Sequence, residues 1–461
     1  MSRILVETWG SPWGNYCISD LNMLNNVSNL SWNEVEYRLG RDRIKARTTV
    51  VPLIRKFKFD KVIILVNDTV ACGDQEDYAL LVDDVKRKYE SFIRRHVLSE
   101  VNYEWNKISV EVIPSGGRFY NKQVFSEFVI NGSDIYVSVL EVLAKHFSGI
   151  GKNVKSVEIF VDTTHGINVL PVVTYSIVKE LADILAYFHE KVIVREYNST
   201  PVVRNIRNAV INLIDEYKAK PNVQVKLSQS NKLVTANTKD ISGLMSNINA
   251  DINSACGVNL QELKIFISGI MNGLPLIMYM FFPDVDRLKG CIEHVKRVYE
   301  NNTKIISSRQ KLKVIHQLKY DNNYRLLIES FLIASQLKDL GISKKDEVTI
   351  QDIKKIRKIF AKNKRIDAIM SRDITELEEL GNNASKRRWE SLGDIKQRYL
   401  GEEVKYETDL RKRKTDLRTF LAHSGLTYDL VQMRKRKYAI FVRYAPDKKN
   451  DVGKFSIGCL G

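Results

Sequence analysis

The chain has 461 residues with 72 Lys and Arg against 55 Asp and Glu, a formal net charge of +17, and 44% of its residues are hydrophobic. That is enough apolar surface to build cores, so a wholly disordered chain is excluded, and the length predicts two or three domains. Five widely spaced cysteines, Cys17, Cys72, Cys256, Cys291 and Cys459, form no C-x-x-C pair. Their spacing argues against a zinc site or a disulfide framework and for a reducing, cytoplasmic compartment.

The N-terminal residues Met1 to Glu7 have neither the apolar core nor the cleavage site of an export signal. Over the first 200 residues, short β-branched runs alternate with longer amphipathic stretches. Strands are predicted at 3–8, 62–66, 108–113, 157–162 and 192–196, and helices at 77–97, 133–147 and 168–189. This is the pattern of an α/β domain, an open parallel sheet of Rossmann type, whose ligands bind beyond the carboxyl ends of the strands.

Two segments fall at such ends. The first strand runs into Trp9-Gly10-Ser11-Pro12-Trp13-Gly14. No G-x-G-x-x-G follows, so a dinucleotide is not supported. Gly10 and Ser11 would still let backbone approach a ligand, and Trp9 or Trp13 would offer a stacking surface for a base. The same residues fit a tight turn with its aromatics packed into the sheet edge. The fourth predicted strand ends in Asp162-Thr163-Thr164-His165-Gly166-Ile167-Asn168. Two hydroxyls, an imidazole, an amide and a helix N-terminus make a donor-rich pocket for phosphate or base edges. A plain helix cap accounts for the same pattern.

Residues 201–302 read as a mainly helical connector. A helix is predicted at 203–218, and the polar stretch 228–240 reads as a loop or hairpin tip. The most apolar run, 265–282, is broken by Gly273 and Pro275 and predicts a kinked core helix rather than a membrane span. Residues 303–461 read as a helical domain closed by a short strand at 437–444. From 301 onward there are 36 Lys and Arg against 21 Asp and Glu, a net +15 that almost exhausts the total. Concentrated positive charge favours a polyanionic partner. The densest runs are Arg411, Lys412, Arg413, Lys414 and Arg434, Lys435, Arg436, Lys437. Between them lies Arg418-Thr419-Phe420-Leu421-Ala422-His423-Ser424-Gly425. A permanent cation and a group that titrates near neutrality are what RNA cleavage without a metal requires. On one regular helix the two side chains would sit about 140° apart. Either Gly425 ends the helix near His423 and turns the imidazole, or two chains bring their motifs together.

Together, the Gly10-Ser11-Pro12 turn, the D-x-T-H-G-x-N segment and the R-x4-H motif resemble the CRISPR-associated accessory ribonucleases of type III systems, Csx-one branch. That resemblance implies an N-terminal CARF sensor domain at 1–200, a connector at 201–302 and an all-α HEPN nuclease domain at 303–461. It implies a homodimer whose paired sensor domains bind cyclic oligoadenylate, with cyclic tetra-adenylate as the first choice of activator. Ser11, Thr163, Thr164, His165 and Asn168 would line the pocket with Gly10, and Trp9 and Trp13 are weaker candidates. Arg418 and His423 would cut single-stranded RNA without a metal, and the two basic runs would hold its backbone. One departure is Thr419, where active members often carry Asn, Asp or His; it bears on turnover and leaves the Arg418–His423 pair intact. Two other readings stay open: a non-catalytic, ligand-sensing nucleic-acid-binding regulator, and a sensor domain that also degrades its ligand.

Overall fold

The computed structural model describes residues 1–14, 18, 21–26, 28, 30–71, 75–121, 124–167, 169–202, 207–308, 310–400 and 414–460. They fall into two compact units. The first comprises Met1–Lys220, Ser230–Gly257 and Lys289–Ile328, and the second Pro221–Gln229, Val258–Leu288 and Glu329–Gly461.

The strands of the first unit, in chain order, are β1 Ser2–Trp9, β2 Val35–Leu39, β3 Asp42–Ala46, β4 Lys61–Asn67, β5 Ile108–Ile113, β6 Gly117–Asn121, β7 Val124–Val129, β8 Ser156–Asp162, β9 Lys191–Ser199, β10 Asn208–Lys218, β11 Val234–Ala236, β12 Thr303–Ser308, β13 Lys311–His316 and β14 Leu318–Tyr320. Eight of them form one sheet in the order β3-β2-β10-β9-β8-β1-β4-β5. The five strands expected from sequence are parallel neighbours in it. Six residues of β1, β4 and β8 in succession are buried, as a parallel sheet covered on both faces requires. Covering helices run from Tyr78 to His96 and from Gly132 to Ser148, capped by Asp77 and Asn131, and from Leu170 to Leu185. Apart from the hairpin β2–β3, which lies at the far edge, the chain winds from β1 one way through β4 and β5 and returns on the other side through β8 and β9. In a sheet of this kind ligands bind where the winding reverses, here beyond the ends of β1 and β8.

The sheet is not wholly parallel. Residues 203–218 were expected to be helical, but β10 runs antiparallel to β9 and parallel to β2. Its apolar residues at 210, 213, 214 and 217 fit a helical period, yet the open edge of β9 offers a row of backbone partners, and tertiary pairing overrides propensity. A smaller sheet, β12-β13-β7-β6, and the pair β11-β14 complete the unit, so the stretch after Thr303 opens with strands rather than helices. Cys256 and Cys291 form a disulfide, their Cα atoms 4.6 Å apart across 35 residues of chain. The cysteine spacing had argued against a disulfide framework; two helices, Met245–Cys256 and Val285–Asn301, bring together what sequence distance separates.

The second unit corrects the all-α expectation for the C-terminal domain. Strands β15 Val348–Thr349, β16 Glu390–Ser391, β17 Val431–Arg436 and β18 Ala439–Tyr444 form an antiparallel sheet in the order β15-β18-β17-β16. The closing strand is therefore one arm of a hairpin that turns at Lys437, φ 51°, and the basic run at 434–437 is the other arm. Helices surround the sheet. The apolar run at 265–282 forms Leu260–Asn272 and Pro275–Met280, broken at Gly273. With φ +64° and Ile366 Cγ2 2.2 Å from the place of a Cβ, position 273 requires glycine. Among the described residues no helix is long and apolar enough to cross a membrane.

Candidate functional site

In the first unit, the pairing of β1 with β8 sets Glu7 opposite Asp162, so the turns after both strands meet. Gly10 N–H donates to the His165 carbonyl at 2.7 Å, and Ser11 Oγ donates to the Gly14 carbonyl at 3.0 Å. Thr164 Oγ1 donates to Asp162 Oδ1 and accepts from Ser199 N–H at 2.9 Å. Thr163 Oγ1 accepts from Asn198 Nδ2 at 2.8 Å. The two threonine hydroxyls thus stitch the turn to β9. His165 stacks on Trp32 with ring centroids 4.2 Å apart, and its Nε2 accepts from Thr49 N–H at 3.4 Å. Burial pushes its pKa down to about 3, so the ring is neutral and Nδ1 carries its proton as a donor. Gly10, Ser11, Thr163, Thr164 and His165 are gathered as expected, while Asn168 lies outside the described residues.

Trp9 and Trp13 are corrections. Both are buried, Trp9 against Trp32, Tyr89 and Phe92, and Trp13 against Tyr89. They hold the turn from beneath and present no face to a ligand. Sequence reasoning missed Trp32, partly exposed over His165, and Thr49, whose N–H donates to the His165 imidazole. Both come from segments without a motif.

Beneath the turns, Glu7 and Asp162 are fully buried side by side. Burial raises the pKa of both, and the charge of Asp162 raises Glu7 further. Asp162 Oδ1 accepts from both Thr164 N–H and Thr164 Oγ1, whereas Glu7 accepts only from Trp9 Nε1 among the described residues, so the proton of the pair falls to Glu7. A carboxyl held above its ordinary range contributes stability fully below about pH 4.3 and loses it as pH rises through the raised value. Glu7→Gln removes that titration at nearly the same size and places an amide beside Asp162. The melting temperature of the variant is expected to gain on wild type between about pH 5 and about pH 8; an offset equal at both pH values would contradict the assignment. Close by, a Cβ on Gly166 would sit 2.3 Å from both Pro171 Cγ and Thr8 Oγ1. Gly166→Ala is expected to cost about 1–3 kcal/mol by overpacking, read by denaturant unfolding.

In the second unit, the helix Leu417–Ala422 starts at Asp416, whose side chain accepts from Thr419 N–H at 2.7 Å. That bond holds the Asp416 carboxyl below its usual range. The helix stops at Ala422. His423 has φ −122° and ψ 27°, and Ser424 and Gly425 follow with φ 48° and 72°. Gly425 N–H donates to the Phe420 carbonyl at 2.8 Å, and a Cβ at 425 would meet Tyr444 Oη at 2.6 Å. The glycine stop thus turns the imidazole off the helix, the first of the two routes the spacing allowed. Arg418 and His423 line one pocket of about 310 Å³ with Lys414, Thr415, Thr427 and Tyr428. Thr415 fixes its wall through Thr427 Oγ1 at 2.9 Å and Asp429.

Behind the imidazole stand residues that no motif announced. Asp373 Oδ1 and Arg372 Nη2 each lie 3.5 Å from His423 Nδ1. Tyr428 Oη donates to Glu376, and Lys396 Nζ reaches both. Burial alone would raise the Glu376 pKa, but hydrogen bonds from Lys396 and Tyr428 and the Lys396 charge hold it below its ordinary value. Of the basic residues, Lys414 is exposed at the pocket. Arg434 and Arg436 pair with Glu347 at 3.3 and 2.9 Å and lie over Trp389 and Phe441. Lys435 shares the face of buried Val431 and Met433 on β17 and is half-buried. Arg411, Lys412 and Arg413 lie outside the described residues.

Residues 4–201 match the family model described as CRISPR system endoribonuclease Csx1, CARF domain, and residues 363–448 match its HEPN domain. A CRISPR system endoribonuclease Csx1 from Methanocaldococcus jannaschii is 27% identical over 442 residues, 94% of this chain and 87% of that protein. Among solved structures, Enterococcus italicus Csm6 bound to cyclic hexa-2'-fluoro-hexa-dAMP covers 100% of this chain and 92% of its own at 11% identity. Its TM-score of 0.20 is too low to carry an argument. The turns after β1 and β8 fall inside the first match and the Arg418–His423 pocket inside the second, and the chain belongs to the Csx1-type CARF–HEPN family of CRISPR-associated endoribonucleases.

Proposed function

We propose that this protein is a metal-independent endoribonuclease of type III CRISPR antiviral defence, acting in the cytoplasm on single-stranded RNA and switched on by cyclic oligoadenylate. The observation that carries this reading is the shared pocket of Arg418 and His423, with the glycine stop that turns the imidazole off the helix. The ribose 2′-oxygen attacks the adjacent phosphorus, forming a cyclic phosphodiester as the bond to the 5′-oxygen breaks. His423 moves the proton, as base toward the 2′-hydroxyl or as acid toward the 5′-oxygen, and Arg418 balances charge on the phosphorane. Lys414 and Lys435, with Arg411, Lys412 and Arg413, hold the backbone. Arg434 and Arg436 are tied to Glu347 and contribute less to RNA than their run suggested.

Gly10, Ser11, Thr163, Thr164, His165 and Asn168 form the ligand pocket, with Trp32 above the imidazole as the stacking surface. In a homodimer the pocket is two-fold symmetric, which suits cyclic tetra-adenylate and also a six-membered ring. Activation requires that the ligand bind the active state more tightly than the resting one. The test is product chemistry: RNA cut in EDTA should carry a 2′,3′-cyclic phosphate and a 5′-hydroxyl. Products with a 3′-hydroxyl, or cutting that requires added metal, would overturn the reading.

A further inference from the structure

The Asp373 carboxylate is 3% exposed and sits in the helix Lys364–Gly381, remote in sequence from the Arg418–His423 motif. Its Oδ1 accepts from Arg372 Nε and Nη2 at 3.0 and 2.9 Å. Its Oδ2 is buried and has no hydrogen-bond partner among the described residues. A buried carboxylate oxygen without a donor is costly, so this group wants one more hydrogen bond. His423 Nδ1 stands beside the carboxylate, 3.5 Å from Oδ1 rather than from the unpartnered Oδ2, and Arg372 Nη2 is equally close to it.

The two neighbours ask opposite things of the imidazole. Asp373 needs a proton on Nδ1, whereas Arg372 would need a lone pair there. Arg372 is already served, since it donates twice to Asp373 and once to the Ala422 carbonyl at 2.6 Å. Both hydrogens of Arg372 Nη2 are thus taken, so nothing near Nδ1 still calls for a lone pair, and a proton there faces the Asp373 carboxylate. We infer that Asp373 is the positioning residue of His423: it holds the Nδ1–H tautomer and leaves Nε2 as the nitrogen available to RNA. Arg372 secures Asp373 and the end of the helix at the same time. Both contacts at His423 are long, and contacts of this kind tighten when substrate fills a site.

The inference rests on the ribonuclease reading, and its test separates the two. In the full-length protein, Asp373→Asn keeps the shape and an acceptor for Arg372 but lacks the charge that fixes the tautomer. Its kcat on labelled single-stranded RNA with activator is expected to fall about 10- to 100-fold at nearly unchanged KM. A wild-type kcat in the variant, or a loss confined to KM, would overturn the positioning role. Independently of activity and of how the variant folds, nitrogen-15 shifts of the His423 ring, assigned by comparison with His423→Ala, should show the neutral wild-type ring protonated at Nδ1. Protonation at Nε2 would mean that Arg372 holds the ring and the assignment is wrong. If wild type cuts no RNA, or His423→Ala cuts it as well as wild type, the ribonuclease reading fails, and the tautomer alone then decides the Asp373 contact.

Discussion

His423→Ala is expected to lower the rate of RNA cleavage by about 10²- to 10⁴-fold, the usual share of general acid–base catalysis. The side chain is 32% exposed and caps a short helix, so its removal should leave folding and ligand binding intact. Single-turnover cleavage of labelled RNA reads the first quantity, and binding of labelled cyclic tetra-adenylate the second. A variant that binds the activator as wild type does and still cuts at the wild-type rate would remove His423 from the chemistry. A variant that loses both would point to a folding defect, which a thermal melt would show.

Arg418→Ala is expected to cost about 10²- to 10³-fold in kcat, the measure of one preorganised donor at a developing oxyanion. Arg418 is exposed on the pocket wall and makes no ion pair among the described residues. Among those residues nothing engages its guanidinium, which leaves it to phosphate. Arg418→Lys should restore only part of the rate, because an ammonium keeps the charge but lacks the planar fork that grips two oxygens. The division between kcat and KM is informative. A loss confined to KM, with a shallower dependence of binding on salt, would make Arg418 a backbone contact and favour a nucleic-acid-binding regulator without catalysis.

Much of the sheet was legible because its central strands are continuous apolar runs, which alternate with amphipathic helices at a spacing only a parallel sheet explains. The turns after β1 and β8 could be located for the same reason, as residues that follow such runs. What escaped was set by pairing across long distances. β10 carries a helical spacing and becomes a strand because β9 has a free edge. β17 begins with Val431 and Met433 facing inward, but the cations that follow masked its alternation, so the C-terminal sheet was missed. Cys256 and Cys291 meet because two helices pack, which spacing in sequence does not measure.

The same division holds at the sites. R-x4-H and the glycine after it are local, so both the pair and the turn of the imidazole could be argued from sequence. Asp373, Glu376 and Lys396 reach the site from other helices, and no short motif joins them to His423. Trp9 and Trp13 illustrate the converse: an aromatic beside a functional turn is more often the floor of that turn than its ligand surface. Trp32 supplies the partly exposed ring instead.

The most direct test of a messenger-switched ribonuclease is the rate at which the full-length protein cuts labelled single-stranded RNA in EDTA, with and without cyclic tetra-adenylate or cyclic hexa-adenylate, beside His423→Ala. The expected result is slow cutting by wild type alone, a large stimulation by one of the two rings, and no stimulated cutting by the variant. Tight RNA binding without cutting in the presence of either ring, or stimulated cutting that survives in His423→Ala, would contradict it.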